Sequence, residues 1–253
     1  MNLLVVGCHG GETPKHRTSA FVLDGRLAID AGALTSGLTL VDQCKLEAVL
    51  VSHAHLDHVR DLATIADNRA QRDAPPLVVV GTKFTLGALR KHFFNGLLWP
   101  DFSVIPSKKK PTIVYKELTP ERRTKVCGYD VRAILVSHTI ETCAFVVERD
   151  GKSIAYSGDT GPTDRLWNVL NGDKALRAVL MEVSFPNVEH ALALVSGHHT
   201  PKSLGDDLKK LQKNVPVLLY HIKPVFQKTV ELECARLGNS SLEILQLGSQ
   251  FDF

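Results

Sequence analysis

Short apolar runs bounded by turn residues alternate along this chain with stretches whose apolar positions recur at helical spacing. Asn2 to Val6, Ser19 to Leu23, Leu27 to Ile29, Ala48 to Val51 and Leu77 to Val80 are too short for helices and rich in valine, leucine and isoleucine, so they read as strands. Asp24-Gly25 and Asp150-Gly151 sit between such runs and predict hairpins. Val59 to Arg72 carries Leu62, Ile65 and Ala66 on one face and reads as a helix before Ala74-Pro75-Pro76. Further helices are expected over Ser36 to Gln43, Thr82 to Phe93, Thr163 to Leu170 with Thr163 as its cap, Glu189 to Leu194, Pro201 to about Lys213, and Val225 to Leu237. Strands are expected at Tyr129 to Val136, Cys143 to Glu148, Ser153 to Tyr156, Ala178 to Val183, Val217 to Tyr220 and Leu242 to Leu247. The pattern weakens between Phe94 and Lys125. Alternating strands and helices place the chain in the α/β class.

The chemistry is densest where the strand Ala48 to Val51 ends. Ser52 is followed by His53-Ala54-His55-Leu56-Asp57-His58. Ligands of α/β sheets bind outside the carboxyl ends of strands. Positions two apart in an extended loop point the same way, so His53 and His55 can grip one cation, while Asp57 and His58, beyond a turn, face a second. Imidazole with carboxylate is a donor set for zinc, manganese or iron rather than calcium. The alternative, a polar loop without metal, leaves a cluster of histidines and a carboxylate with uncompensated desolvation.

This stretch resembles the H-x-H-x-D-H signature of the metallo-β-lactamase fold hydrolases. The resemblance implies a four-layer αβ/βα sandwich with a dinuclear metal site at one edge, completed downstream by a histidine, a bridging aspartate and a final histidine. His138, Asp159 and His221 each follow an expected strand and match those places in order. The implied site is His53, His55 and His138 on one ion, Asp57, His58 and His221 on the other, and Asp159 between them. An aspartate in the position of Asp30 implies support of the metal ligands from behind; a turn or cap role is the plainer alternative. The resemblance implies two divalent ions, with zinc expected and manganese or iron as alternatives. Such a pair generates hydroxide from water at neutral pH.

The motif alone does not select among phosphodiesters, thioesters, lactones and lactams. The stretches Ser157 to Thr163, Glu182 to Asn187 and Gly197 to Pro201 are similar to those of class II 3′,5′-cyclic-nucleotide phosphodiesterases, which share the H-x-H-L-D-H form. That likeness implies hydrolysis of cAMP or cGMP to the 5′-monophosphate. Expulsion of an alkoxide, a poor leaving group, needs a proton or a metal. In related phosphodiesterases a histidine in a G-H-x-T stretch supplies the proton and a carboxylate orients that histidine. Those roles map to His198 and Glu182, for which a helix cap and a surface or capping residue are the plainer alternatives, and Asp57 joins them in the catalytic set. The chain departs from the class II pattern at Asp61, where glycine is usual, and at His199, where leucine is usual. Other readings are an RNA-processing endonuclease of the same fold, another phosphodiester or phosphonate-ester hydrolase, and a metal-dependent binding module without turnover.

Composition narrows this further. The 253 residues suffice for one large domain, here 1–253, with 94–125 as an insertion or flap over the site. Phe93, Phe94, Trp99 and Phe102 supply that segment with aromatics, for which core packing is the plainer role. The net charge of +3 gives no argument for nucleic acid, and Lys108-Lys109-Lys110 reads as a solvated turn. No basic, glycine-rich arm of the tRNA-processing type is visible, which favours a small substrate. Five scattered cysteines, with no C-x-x-C pair, read as buried hydrophobes in a reducing, cytoplasmic setting. No signal peptide or membrane span is expected. Family members often pair, so a homodimer is allowed. His9, His16, His92 and His190 fit no ligand slot; His9 and His16 lie in a glycine-rich loop that could border the pocket, with surface polar roles as the expectation.

Overall fold

The computed structural model describes all 253 residues. Its strands are β1 (Asn2–Gly7), β2 (Ala20–Leu23), β3 (Leu27–Ile29), β4 (Ala48–Leu50), β5 (Leu77–Gly81), β6 (Pro106–Ser107), β7 (Lys110–Pro111), β8 (Ile113–Glu117), β9 (Arg123–Val126), β10 (Tyr129–Leu135), β11 (Cys143–Arg149), β12 (Lys152–Tyr156), β13 (Leu176–Glu182), β14 (Val217–Tyr220), β15 (Leu242–Ile244) and β16 (Gln250–Asp252). They form two seven-stranded sheets, β16-β1-β2-β3-β4-β5-β8 and β15-β14-β13-β12-β11-β10-β9, with β6 and β7 as a separate hairpin. The helices are α1 (Leu34–Gly37), α2 (Leu40–Lys45), α3 (Leu56–Val59), α4 (Asp61–Gln71), α5 (Lys83–Ala88), α6 (Arg165–Gly172), α7 (His190–Ser196), α8 (Pro201–Leu208) and α9 (Gln227–Ala235).

The four layers follow from the strand alternation. Successive side chains point to opposite faces. In β4, Ala48 and Leu50 join a cluster holding Phe21, Ile29, Phe145, Ile154, Tyr156 and Tyr220, which fills the space between the two sheets. Val49 points the other way, into a second cluster with Leu62, Ile65 and Ala66 of α4 and Leu86 of α5. The second sheet mirrors this: Ala155, Val179 and Leu219 pack beneath Leu166, Trp167, Leu204 and Val230 of α6, α8 and α9. The expected αβ/βα sandwich is therefore the observed one.

Both sheets have a parallel section. β3, β4, β5 and β8 run together in the first, and β12 to β15 in the second. Their carboxyl ends reach one edge of the sandwich, where the site lies.

Several expectations need correction. The helix expected over Ser36 to Gln43 is two short helices, because the Thr39 side chain accepts from Asp42 N and starts a new one. The helix opened by Pro201 ends at Leu208 rather than near Lys213. Thr163 does not cap α6; Asp164 holds that place without a side-chain bond, and Thr163 N donates to Asp207 instead. The final strand stops at Ile244, and an unanticipated β16 pairs Asp252 with Asn2. In the weakly patterned segment, Phe94 and Phe102 are buried in the helix-covered cluster of the first sheet, and the Trp99 indole donates to Ala63 O. His9 is buried, not at the surface: its backbone bridges Thr18 and Ile222.

Candidate active site

Several strand ends at this edge deliver the site. The turn after β4 carries His53 and His55, and α3 begins at once, so Asp57 and His58 project from its first turn. His138 follows β10, Asp159 follows β12, Glu182 ends β13, and His221 follows β14. The structure thus brings together all seven residues proposed from sequence as metal ligands.

They form two nests. His53, His55 and His138 offer nitrogens within 4.8 Å of one another, and so do the donor atoms of Asp57, His58, Asp159 and His221. His138 Nε2 lies 3.2 Å from His55 Nδ1, and His58 Nε2 lies 3.4 Å from His221 Nε2. Asp159 stands between the nests. Its Oδ2 is 3.2 Å from His58 Nε2, 3.3 Å from His221 Nε2 and 3.7 Å from His53 Nε2.

The rings are held from behind. His58 Nδ1–H donates to Asp30 Oδ2 at 2.7 Å, His138 Nδ1–H to the Gly197 carbonyl at 2.9 Å, and His221 Nδ1–H to Ser184 Oγ at 2.9 Å. His53 Nδ1 lies 3.0 Å from Ser52 Oγ, whose hydroxyl donates onward to Asp30 Oδ2. With one nitrogen committed outward, the network assigns the lone pair of the other to the nest. Asp30 is the hub: it also accepts from Ser52 N at 2.8 Å and from the Tyr156 hydroxyl at 2.6 Å. Asp30 and His221 both adopt positive φ, 55° and 71°, in a region a non-glycine residue enters only when its surroundings fix it.

Two buried atoms expose what the nests want. His53 Nε2 and Asp159 Oδ1 have no hydrogen-bond partner. Leaving such groups unmatched costs about 1–3 kcal/mol each. Divalent cations held by these donors would satisfy such groups, and imidazole with carboxylate is the chemistry of zinc, manganese or iron. The residues present therefore fit a metal.

The charges are tightly interlocked. Burial would raise the Asp159 pKa, but the imidazoles of His221 and His58 outweigh it and hold the carboxyl well below its usual range. Burial opposes a charge on His58, yet Asp159 and Asp30 on either side lift it well above the ordinary histidine value. His53, buried and beside His58, is driven well below it. Burial also pushes against ionised Asp57, but His221 and His58 keep it an anion.

Beside the nests stands the pair expected from sequence. His198 Nδ1–H donates to Glu182 Oε1 at 2.8 Å, and the glutamate is fully buried. Burial would raise Glu182, and the His198 charge lowers it; burial opposes protonation of His198, and Glu182 raises it. Thr160 N donates to Glu182 Oε1 at 3.1 Å, and the Ser184 hydroxyl to Oε2 at 3.1 Å. His199 turns away from the nests, with Nδ1 3.1 Å from Ser203 Oγ and Nε2 3.7 Å from Asp207 Oδ2. Sequence reading assigned no role to Ser52, Ser184, Tyr156 or the Gly197 carbonyl. Ser52 and Ser184 share one signal, a hydroxyl residue just past a strand end.

Two facing sheets under outer helices, with a histidine–aspartate nest at their common edge, define a metallo-β-lactamase-fold protein. The chain belongs to that superfamily, since the family model described as beta-lactamase superfamily domain matches residues 29–222. It is 27% identical to the probable 3′,5′-cyclic-nucleotide phosphodiesterase of Yersinia pestis, across 81% of this chain and 66% of the relative. The chain thus spans about two thirds of the length of that curated relative. Among solved structures it superimposes on unliganded yeast PDE1 with a TM-score of 0.82, at 19% identity and over 98% of both chains. Human tRNase Z, short form, gives a TM-score of 0.73 at 16% identity, over 100% of this chain and 99% of that one. At such identities these two likenesses are of fold. No helix is long and apolar enough to cross a membrane.

Proposed function

We propose that this protein is a dinuclear-metal phosphodiesterase that opens 3′,5′-cyclic nucleotides to 5′-monophosphates. The observation that carries the reading is the placement of the His198–Glu182 pair beside two donor nests joined by Asp159. His53, His55 and His138 would hold one ion, Asp57, His58 and His221 the other, with Asp159 shared. When bound, two divalent ions acidify water and neutralise phosphoryl charge. The remaining work falls to the chain's own groups. Asp57, with its side chain 31% exposed, is the carboxylate that would accept a proton from the attacking water. His198 carries a proton on each nitrogen when charged, and Glu182 fixes Nδ1–H, so Nε2–H is the one delivered to the leaving 3′-oxygen. Glu182 also stabilises the charged ring until transfer.

The cyclic-nucleotide substrate is supported by likeness to the Yersinia pestis protein and by the similar stretches around Asp159, Glu182 and His198. The test is hydrolysis of cAMP and cGMP by protein loaded with zinc or manganese, beside bis-p-nitrophenyl phosphate and a precursor tRNA. Turnover of a cyclic nucleotide far above the generic diester is expected. Cleavage of the precursor tRNA alone would replace this reading with the endonuclease one.

A further inference from the structure

The rim of the site holds a cation that the reaction above leaves unused. Lys223 lies two residues past His221, and its backbone is tied down on both sides: Lys223 N donates to Ser184 O at 3.2 Å, and Phe226 N donates to Lys223 O at 2.9 Å. The stem is confined as well. A methyl group at Gly10 would come within 3.0 Å of Lys223 Cδ, so the glycine-rich loop after β1 closes directly over the side chain. The ammonium stands 6.0 Å from the centre of the Phe185 ring, and that ring meets the His198 imidazole edge-on, 5.7 Å between centres. The Lys223 charge is felt at His198, where it opposes protonation.

This cation has no anion. Nearby carboxylates are committed elsewhere: Glu12 pairs with Arg60, Glu182 with His198, and Asp57 and Asp159 face the histidines of the nests. No carboxylate lies within ion-pair distance of the lysine. Most lysines without partners are fully solvated and mobile. Lys223 is half-buried, clamped between a loop and an aromatic ring, and on the side of the site occupied by the proton donor. Its neighbour Phe185 is buried and adds an apolar wall without an acceptor. What such an arrangement lacks is an anionic oxygen.

We propose that Lys223 binds a non-bridging phosphate oxygen of the substrate, holding the phosphate against His198. The proposal rests on the phosphodiesterase reading for its substrate but makes a separate claim about one residue. It also extends to the product, because a phosphomonoester presents the same oxygens with more charge.

The experiment compares metal-loaded wild type with Lys223→Met, which keeps the stem on Phe185 and removes the charge, and with Lys223→Arg, which keeps the charge. Three quantities are read: kcat and KM for a diester, inhibition by inorganic phosphate, and bound metal. In Lys223→Met, KM and the phosphate inhibition constant are expected to rise about tenfold, with kcat changed less and metal content intact, as for loss of one charge-assisted hydrogen bond. Lys223→Arg should recover to within about threefold of wild type, since a guanidinium still donates to phosphate oxygens. Unchanged phosphate inhibition in Lys223→Met would overturn the proposal while wild-type turnover left the phosphodiesterase reading standing. A wild type that neither cleaves a diester nor binds phosphate would remove both.

Discussion

Asp30 Oδ2 accepts a hydrogen bond from His58 Nδ1 at 2.7 Å, and the same oxygen accepts from the Ser52 and Tyr156 hydroxyls. One carboxylate oxygen therefore sets the ring of one nest and, through Ser52, the His53 ring of the other. Three donors converge on it from the turn after β4, from α3 and from β12, so both sheets help to hold it. Asp30→Asn preserves the volume but replaces one oxygen by a donor, and whichever way the amide turns, a donor meets a donor. Metal affinity should fall about 10–100-fold, the usual effect of losing such support, measured by competition with a chelator. Unchanged affinity would show that His58 is oriented by packing alone.

His198 and Glu182 should separate chemistry from metal binding. His198→Ala is expected to slow cyclic-nucleotide hydrolysis about 10²–10⁴-fold with metal content intact. A diester with a nitrophenolate leaving group, which departs without a proton, should lose far less. Loss of metal in His198→Ala would instead make His198 a ligand, which its 4.8 Å grouping with His138 and Asp159 makes worth measuring.

The pH dependence follows from the same pair. The folded-state pKa of His198 is raised because Glu182 outweighs the opposing burial. Its acid form is thus retained above the ordinary histidine value, and the rate should fall only as pH rises through that raised pKa. Glu182→Gln removes the charge that raises it, so the alkaline fall should move to lower pH. Identical alkaline limbs in Glu182→Gln and wild type would detach that limb from His198.

How much of this was legible beforehand depends on the range of the interaction. The donors His53, His55, Asp57 and His58 stand out as a local cluster just past an apolar run, and the resemblance to the metallo-β-lactamase fold picks out His138, Asp159 and His221 at later strand ends. Their supports are not local. Ser184 joins Glu182 to His221, and Tyr156 joins the second sheet to Asp30, through single hydroxyls with no distinctive spacing. β16 pairs with β1 across almost the whole chain, and nothing near Gln250 announces that partner. Leu38 and Thr39 split an apparently continuous helix because a cap competes with helix continuation, which apolar periodicity does not register.

Gly197 offers a sharper backbone test. Its φ is 67°, and a Cβ there would lie 2.9 Å from His138 Cα and 3.0 Å from His138 Nδ1. Gly197→Ala should cost roughly 1–2 kcal/mol for the left-handed conformation alone. It should also displace the carbonyl that orients His138, so reduced metal content is expected beside a lower Tm. A lower Tm with full metal content would limit the role of Gly197 to the turn.

Asp61 departs from the glycine of the class II pattern, and the structure gives it work. It is buried, accepting from Thr35 N at 2.7 Å and Thr35 Oγ1 at 2.6 Å, with Arg60 Nε 3.1 Å away. It pins α1 to the start of α4 without touching the nests. Asp61→Gly should destabilise the fold by about 1–3 kcal/mol through the stranded Thr35 donors and the added chain entropy. Calorimetry should show the loss, and metal titration should show none.

Metal removal is the most direct test of the nests. Without a cation, His53 Nε2 and Asp159 Oδ1 are buried with no partner, and His58 lies between Asp159 and Asp30, whose charges favour its protonated form. Binding a cation competes with protonation of His58, because a ligating imidazole nitrogen needs its lone pair. Metal uptake should therefore release protons, and affinity should weaken as pH falls and His58 becomes harder to deprotonate. Stripping with a chelator should lower Tm, since any ligand bound by the native state alone adds to its stability. Asp159→Ala should bind metal weakly at both nests together rather than at one, because it is the residue both share. Selective loss from one nest would reduce Asp159 to a ligand of that nest alone.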